Sequence, residues 1–237
     1  MKRKIILILI LIILVTGVSS LGRYIYVRIR FEQSQKAIIN AMENNNPVFK
    51  LKEEENFQIK YKVKPIGILE IPSIKVKNGI IKGVSESDMF WGVGWYPNSP
   101  LPNMKSEFTG NLYLAGHDQG YAPIFENLKE LRNNDLVYVF INGNTYIYSV
   151  YNKFIINPYD TWVMENQPNK SMVTLQTCNR AGNKRWIIQA KLIDRFKGTE
   201  LMKNDKDKPI RDFNNGEDKE YLKALKEGKV NSEGQII

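Results

Sequence analysis

The chain of 237 residues contains one cysteine, Cys178, and one histidine, His117. A single cysteine excludes an internal disulfide framework. One cysteine and one histidine also fall short of a Cys/His zinc cluster unless carboxylates complete it. If this protein uses thiol or imidazole chemistry, these two side chains must therefore carry it.

The sequence shows no internal repeat and no pattern typical of nucleic-acid binding, such as a zinc finger, a helix-turn-helix or an RNP-like motif. Lys and Arg outnumber Asp and Glu by 34 to 25, which gives a formal net charge of +9. The excess is spread along the chain, so it indicates a mildly cationic surface. Such a surface favours an anionic membrane or cell wall as its surroundings, and we expect no nucleic-acid partner.

The N-terminus has the pattern of a membrane signal. Three basic residues at positions 2–4 precede eleven apolar residues, Ile5–Val15. No charged residue lies between Lys4 and Arg23. The uncharged run is close to the lower limit of the ~17–25 residues that span a bilayer. A cleaved signal peptide ending near Val18-Ser19-Ser20 is the alternative. We expect residues 1–22 to be an uncleaved single-pass anchor, with the N-terminus in the cytoplasm and the remainder outside.

Composition divides the remainder into a polar stem at 23–64, a strand-rich domain at 65–196 and a charged extension at 197–237. Asn142-Gly143 lies between two apolar runs and predicts a type I′ hairpin. We predict an all-β domain, a closed or nearly closed barrel of about eight short strands with one or two short helices. The further predicted elements are a stem helix at Tyr24–Glu43, a short helix at Pro123–Leu131, a long irregular loop at Asn157–Lys170, and a helix at Asp218–Glu227.

Three polar residues stand where predicted strands end or begin. His117 follows the strand Asn111–Ala115, Cys178 follows the strand Ser171–Thr177, and Arg185 opens the next strand. A thiolate can attack a carbonyl carbon, an imidazole can protonate the leaving amine, and a cation can stabilise the oxyanion. Taken singly, each residue has a simpler interpretation, as a buried small side chain, a surface histidine or a solvated arginine.

Together these residues match a known family. Thr174–Cys178 reads TLQTC and fits the TLxTC motif of sortases, and Arg185 follows seven residues later at the head of an apolar strand. Ala115-Gly116-His117, followed by Pro123-Ile124-Phe125, resembles the AGH segment of that family. The resemblance covers about residues 65–195, and it implies an eight-stranded sortase-type β-barrel preceded by a transmembrane helix.

The resemblance also implies an activity, which is cleavage of an LPxTG-type sorting signal and transfer of the surface protein that bears it to an amine. The amine would belong to a peptidoglycan precursor or to a pilin lysine. Cys178 would form the thioacyl intermediate, His117 would act as acid and base, and Arg185 would bind the substrate. Ala115, Thr177 and the loop Asn157 to Lys170 would contribute to substrate binding.

Several alternatives remain open at this stage. Arg180 rivals Arg185, and a cysteine hydrolase or a non-catalytic wall-binding barrel would share much of the pattern. No cofactor is expected, because Glu107 and Glu165 alone are thin support for calcium, which prefers six to eight oxygen ligands. The resemblance does not identify the sortase subclass.

Overall fold

A barrel forms the body of the molecule in the computed structural model, which describes residues 2–43, 65–105 and 108–198. Within these ranges eight strands close on one another in the order β1-β2-β3-β4-β7-β8-β6-β5. The β2–β3 and β4–β7 pairs are parallel and the others are antiparallel, so the sheet is mixed. The predicted eight-stranded barrel is therefore confirmed. The strands are β1 (Pro65–Ile71), β2 (Val76–Lys82), β3 (Val93–Trp95), β4 (Gly110–Ala115), β5 (Leu136–Ile141), β6 (Asn144–Ile156), β7 (Ser171–Cys178) and β8 (Arg185–Lys197).

The hairpin between β5 and β6 forms where the sequence predicts it. Asn142 and Gly143 both have positive φ, 52° and 75°, as a type I′ turn requires. From this turn β6 continues to Ile156 and pairs with β8 along its whole length, from Asn144↔Lys197 to Ile156↔Arg185. The barrel therefore has a hairpin end at Asn142-Gly143 and, opposite to it, an end that carries Cys178 and Arg185.

Both faces of β4 and β7 are buried, each for a different reason. The inward side chains, which include Leu112, Leu114, Val173 and Leu175, belong to the main core. The outward residues Asn111, Tyr113 and Thr174 are almost fully covered as well. Residues of the long β6–β7 loop, including Val163, pack over this outer surface together with Tyr113. The loop therefore covers the outer face of these strands on the side of the barrel where β7 ends at Cys178.

The N-terminal helix α1 (Lys2–Glu43) is continuous, so no break in secondary structure separates the predicted anchor from the predicted stem helix. Each side chain from Ile5 to Val15 is more than half exposed, and α1 contains one candidate membrane span. The second half of α1 packs against β1 and β2 through its buried residues Phe31, Ile38 and Met42. The predicted helix stop at 44–47 lies outside the described residues.

The prediction of a regular helix at Pro123–Leu131 is wrong in form. The segment is a series of turns that ends in a short 3₁₀ helix, Leu128–Glu130. Both ends of the segment bond to other parts of the chain, since the N–H of Phe125 donates to the carbonyl of His117 at 2.8 Å and Lys153 Nζ donates to the carbonyls of Lys129 and Leu131. The predicted apolar face is nonetheless correct, since Ile124, Leu128 and Leu131 are all buried.

Two further segments complete the described fold. A short helix, α2 (Glu86–Met89), is capped by Ser85 and Asp88, whose side chains each bond to the other's backbone N–H. Among residues 65–105 and 108–198, the remaining helical turns are 3₁₀ helices at Pro72–Ile74, Leu128–Glu130 and Trp162–Met164. Of the predicted C-terminal extension only Lys197 and Gly198 are described, so the predicted helix Asp218–Glu227 lies outside the described residues.

Candidate functional site

Cys178 and Arg185 lie directly opposite each other on neighbouring strands. Cys178 is the last residue of β7 and Arg185 is the first residue of β8, and the two are Cα partners in the antiparallel ladder. Partners in such a ladder project their side chains from the same face of the sheet. The thiol and the guanidinium therefore share one side of the barrel end, and both residues are half-buried.

His117 reaches the same end along β4. The parallel ladder between β4 and β7 ends at Ala115↔Gln176, two residues before His117 on one strand and two before Cys178 on the other. Gly116 extends the contact, since its N–H donates to the carbonyl of Gln176 at 3.0 Å and its carbonyl accepts from Thr177 Oγ1 at 2.8 Å. The structure thus brings together the three residues that the sequence analysis selected.

Gly116 is required by close packing behind His117. A Cβ atom at this position would lie 2.8 Å from Cδ2 of the Phe125 ring, closer than real Cβ contacts are found. The same phenylalanine donates its backbone N–H to the carbonyl of His117. Phe125 therefore holds the backbone of His117 from one side while Thr177 holds that of Gly116 from the other.

The loops that follow His117 and Cys178 contact each other. Gln119 Nε2 donates to the carbonyl of Arg180 at 2.8 Å. The loop 179–184 is closed at its base, where the N–H of Asn179 donates to the carbonyl of Lys184 at 3.0 Å. These bonds limit the freedom of both loops and so restrict the relative position of His117 and Cys178.

The structure places Arg185 and Arg180 differently with respect to Cys178. Arg180 is exposed on the loop, and only its carbonyl makes a described contact. Arg185 Nη1 donates to the carbonyls of Gly182 at 3.0 Å and Lys184 at 3.1 Å. A guanidinium has five N–H donors, so donors remain for a substrate carbonyl. Burial raises the pKa of Tyr113, and the positive charge of Arg185 opposes that rise.

The outer face of β4 and β7 carries polar and aromatic side chains near their C-terminal ends. The Tyr113 hydroxyl donates to Gln176 Oε1, which joins the x position of the TLxTC motif to β4. The ring of Tyr113 meets that of Tyr96 edge to face, with centroids 6.3 Å apart.

The loop Asn157–Lys170 is anchored to β4 by Asn111, a fully buried side chain. Asn111 Nδ2 donates to the carbonyls of Val163 at 2.8 Å and Glu165 at 3.2 Å, and its backbone N–H donates to Asn166 Oδ1 at 2.9 Å. Its own Oδ1 accepts from Thr174 Oγ1 at 2.7 Å. The first threonine of TLQTC therefore supports the residue that holds the loop in place.

Ala115 and Thr177, the other predicted binding residues, lie in different positions relative to His117 and Cys178. Ala115 lies on the outer face of β4, two residues before His117, and is 7% exposed. Thr177 is buried, and its hydroxyl is used in the bond to Gly116, so any effect of Thr177 on a substrate comes through the backbone.

The calcium prediction stays untested. Within the described residues no group of three or more His, Cys, Asp and Glu side chains is placed to hold a metal ion. Glu165 contributes its backbone carbonyl to Asn111, and Glu107 lies outside the described residues.

The sequence did not reveal Asn111, which positions the loop Asn157–Lys170, or Gln119, which joins the loop after His117 to the loop after Cys178. Asn111 bonds to Val163, 52 residues away, and Gln119 bonds to Arg180, 61 residues away, so no local pattern reveals these contacts. The one available signal was a polar Asn at the start of an otherwise apolar strand, Asn111–Ala115, where a buried amide needs partners.

Comparison with known proteins agrees with this site. The family model described as the sortase domain matches residues 69–193. Sortase D of Bacillus subtilis (strain 168) is 30% identical over 132 residues, which are 54% of this chain and 63% of that protein. Sortase A of Bacillus anthracis is 25% identical over 166 residues, which are 69% of this chain and 75% of that protein.

Solved structures give the same result for the fold. A Clostridium perfringens sortase D5 transpeptidase superposes with a TM-score of 0.53 at 22% identity, over 69% of this chain and 98% of that one. Sortase C1 of Streptococcus suis superposes with a TM-score of 0.51 at 26% identity, over 55% of this chain and 73% of that one. These relatives are named as sortases A, C and D, so the comparison leaves the subclass open. With the family model covering more than half of its length, this chain belongs to the sortase family of cysteine transpeptidases.

Proposed function

We propose that this protein cleaves an LPxTG-like sorting signal through a thioacyl intermediate on Cys178 and transfers the acyl group to an amine. The observation that carries the proposal is the pairing of Cys178 with Arg185 at the barrel end where β4 delivers His117. Strand ends are rigid and open to a rim, and this combination suits a nucleophile that must meet a peptide in fixed geometry.

The proposed first half-reaction forms a thioester. The Cys178 thiolate attacks the carbonyl carbon of the threonine in the signal, and the bond between threonine and glycine breaks. The amine of the departing glycine takes a proton from the His117 imidazolium. In the second half-reaction the acceptor amine loses a proton to His117 and attacks the thioester, which forms a new amide and releases the Cys178 thiolate.

Arg185 would stabilise the negative charge that develops on the carbonyl oxygen in both half-reactions. Its guanidinium is charged at every working pH, so it is available whichever way the His117 proton moves. The bonds from Arg185 to Gly182 and Lys184 would hold the guanidinium near the thiol before the substrate arrives.

The proposed location is the outer face of the cell membrane, with α1 as a single-pass anchor and the N-terminus in the cytoplasm. The exposed apolar side chains of α1 and the basic residues before them support this topology. The proposed substrates are surface proteins that bear the sorting signal. The proposed acceptor is an amine of a peptidoglycan precursor or of a pilin lysine.

A ligation assay tests the proposal. The full chain in detergent is incubated with an LPxTG-type peptide and an amine acceptor such as triglycine, and the products are followed by mass spectrometry. We expect a peptide joined to the acceptor after threonine, and no such product with Cys178→Ala. Cleavage without ligation at saturating amine would instead identify a hydrolase, and no turnover of any sorting-type peptide would contradict the proposed enzyme.

The choice of arginine gives a second prediction. Arg185→Ala should lower kcat/KM for ligation by about 100-fold or more, since loss of one oxyanion donor costs about that factor. Arg180→Ala is the matched control and should stay within a few-fold of the unchanged protein. The reverse ranking would mean that Arg180 is the cation of the site.

A further inference from the structure

We propose that the barrel end carrying Cys178 faces the membrane, and that its loops contact the lipid headgroups. These loops, residues 118–121, 157–162 and 179–184, are called the rim below. The inference rests on the membrane insertion of α1 given under Proposed function and is independent of the peptide chemistry.

The first step is the direction in which α1 crosses the barrel. Phe31 lies near Val76, at the start of β2, since the two residues line one cavity. Four residues later Gln35 Oε1 accepts from the N–H of Gly79 at 3.0 Å, and its Nε2 donates to the carbonyl of Trp91. α1 therefore runs along β2 in the same direction, from Val76 toward Lys82.

The contact between α1 and β2 is close and specific. A Cβ atom on Gly79 would lie 2.5 Å from Cγ2 of Ile38, so the helix lies directly over the glycine backbone. Ile38 is fully buried there, and Gln35 is 5% exposed. Since α1 is continuous from Lys2 to Glu43, this docked half sets the direction of the apolar half.

The apolar half of α1 approaches the end of the barrel that carries Cys178. Lys82, the last residue of β2, pairs with Trp95, which pairs with Leu114 of β4. The start of β2 therefore lies on the side of Ala115 that leads to His117. Because α1 meets the start of β2 at Phe31, everything that precedes Phe31 lies beyond the end that carries Cys178.

The third step is the distance from the bilayer to the rim. The uncharged run ends at Gly22, and Tyr24 follows about 3 Å further along the helix. The ring of Tyr24 contacts that of Tyr121, tilted by 36° with the centroids 5.8 Å apart. Tyr121 comes four residues after His117 and is 41% exposed. Tyrosine is enriched at the membrane–water interface, so Tyr24 and Tyr121 are both placed at headgroup level.

The remainder of the rim has the side chains that such a position requires. Tyr159 is 90% exposed and Trp162 is 52% exposed, although both are large aromatic residues. Lys184 Nζ donates to Asn157 Oδ1 at 2.6 Å, which joins two of the three loops of the rim. Amphipathic aromatic rings with one apolar face and one polar edge suit the headgroup layer better than bulk water.

The charged residues at the barrel end that carries Cys178 are compatible with contact between the rim and lipid headgroups. Arg180 and Lys184 of the rim are exposed, and Asp118 and Asp160 offset them within the rim. Arg23 and Arg28 of α1 add positive charge next to the bilayer, where anionic lipids attract basic side chains. In this orientation Cys178 would meet a sorting signal that is still held at the membrane surface.

Energy transfer tests the orientation on the full chain. In a Cys178→Ala background a single cysteine is introduced at Tyr159 or Asn183 on the rim, or at Lys197 near the hairpin end, and each is labelled with a donor dye. The proteins are reconstituted in phosphatidylcholine and phosphatidylglycerol vesicles that carry an acceptor dye on headgroups of both leaflets. Tilted strands as long as β6 separate the two ends by about 30 Å along the barrel axis. We expect clearly higher transfer from the donors at 159 and 183 than from the donor at 197.

Equal transfer from the three positions, or the highest transfer from position 197, would overturn the orientation. Flotation of each reconstituted sample separates this failure from a failure of anchoring. Protein that does not float with the vesicles would disprove both the insertion of α1 and the orientation that rests on it. The ligation assay in detergent would be unaffected by either result.

Discussion

At the scale of single residues, Thr177 shows how a buried hydroxyl can hold a site together without touching a substrate. Its Oγ1 donates to the carbonyl of Gly116, and Gly116 immediately precedes His117. Thr177→Val keeps the shape of the side chain and leaves this buried carbonyl without its donor. We expect the free energy of unfolding, measured in urea, to fall by about 1–3 kcal/mol. Thr161→Val, at an exposed position, should change stability little, and equal effects of the two substitutions would contradict this role.

Buried tyrosines give the fold a dependence on high pH. Burial raises the pKa of Tyr113 and of Tyr148, so both stay neutral in the folded chain after unfolded tyrosines, with a pKa of about 10, have begun to ionise. The unfolded state then binds fewer protons than the folded state, and stability falls as pH rises above about 10. Each such tyrosine contributes a slope of about 1.4 kcal/mol per pH unit.

Tyr148→Phe should therefore reduce the slope of unfolding free energy against pH above 10, measured by urea denaturation at a series of pH values. Tyr159→Phe is the matched control because that ring is 90% exposed, and its slope should equal that of the unchanged chain. An unaltered slope in Tyr148→Phe would show that the Tyr148 hydroxyl does not contribute to the loss of stability at high pH.

At the scale of elements, the β6–β7 loop depends on one amide for its position over β4 and β7. Asn111→Ala removes the donor to Val163 and Glu165 and the acceptor for Thr174. We expect faster proteolysis within residues 157–170 and a KM for the sorting peptide that rises more than kcat falls. Asn133→Ala, at an exposed position before β5, is the control and should change neither quantity. A loop that stays protected in Asn111→Ala would disprove the anchoring.

The elements that follow from local patterns are the ones that the sequence predicts well. The Asn142-Gly143 hairpin needs only two residues that tolerate positive φ, and the TLQTC motif lies within one strand, β7. The 3₁₀ turn at Leu128–Glu130 and the anchoring by Asn111 depend on partners from other parts of the chain. Strand ends and a family resemblance were enough to select the three proposed catalytic residues. That they lie at one end of the barrel follows from the register of β4 with β7 and of β7 with β8, which the sequence does not reveal.

At the scale of the whole molecule, the second half of α1 belongs to the folded domain as much as the strands do. Phe31, Ile38 and Met42 are buried against the barrel, and Gln35 bonds to β2 and to Trp91. Burial of a large apolar side chain contributes about 1.5–3 kcal/mol. A chain that begins at residue 44 should therefore lose several kcal/mol of unfolding free energy relative to a chain that begins at residue 23. Chains of equal stability would contradict the docking of α1.

The proposed thioacyl intermediate on Cys178 can be detected by intact-protein mass spectrometry. The full chain is mixed with an LPxTG-type peptide without added amine, quenched in acid, weighed and mapped by proteolysis. The account predicts a mass increase equal to the peptide fragment that ends in threonine, located on Cys178 and lost when triglycine is added before the quench. Ligated product that forms while no adduct accumulates on Cys178 in rapid-quench samples, or an adduct on any other residue, would contradict it.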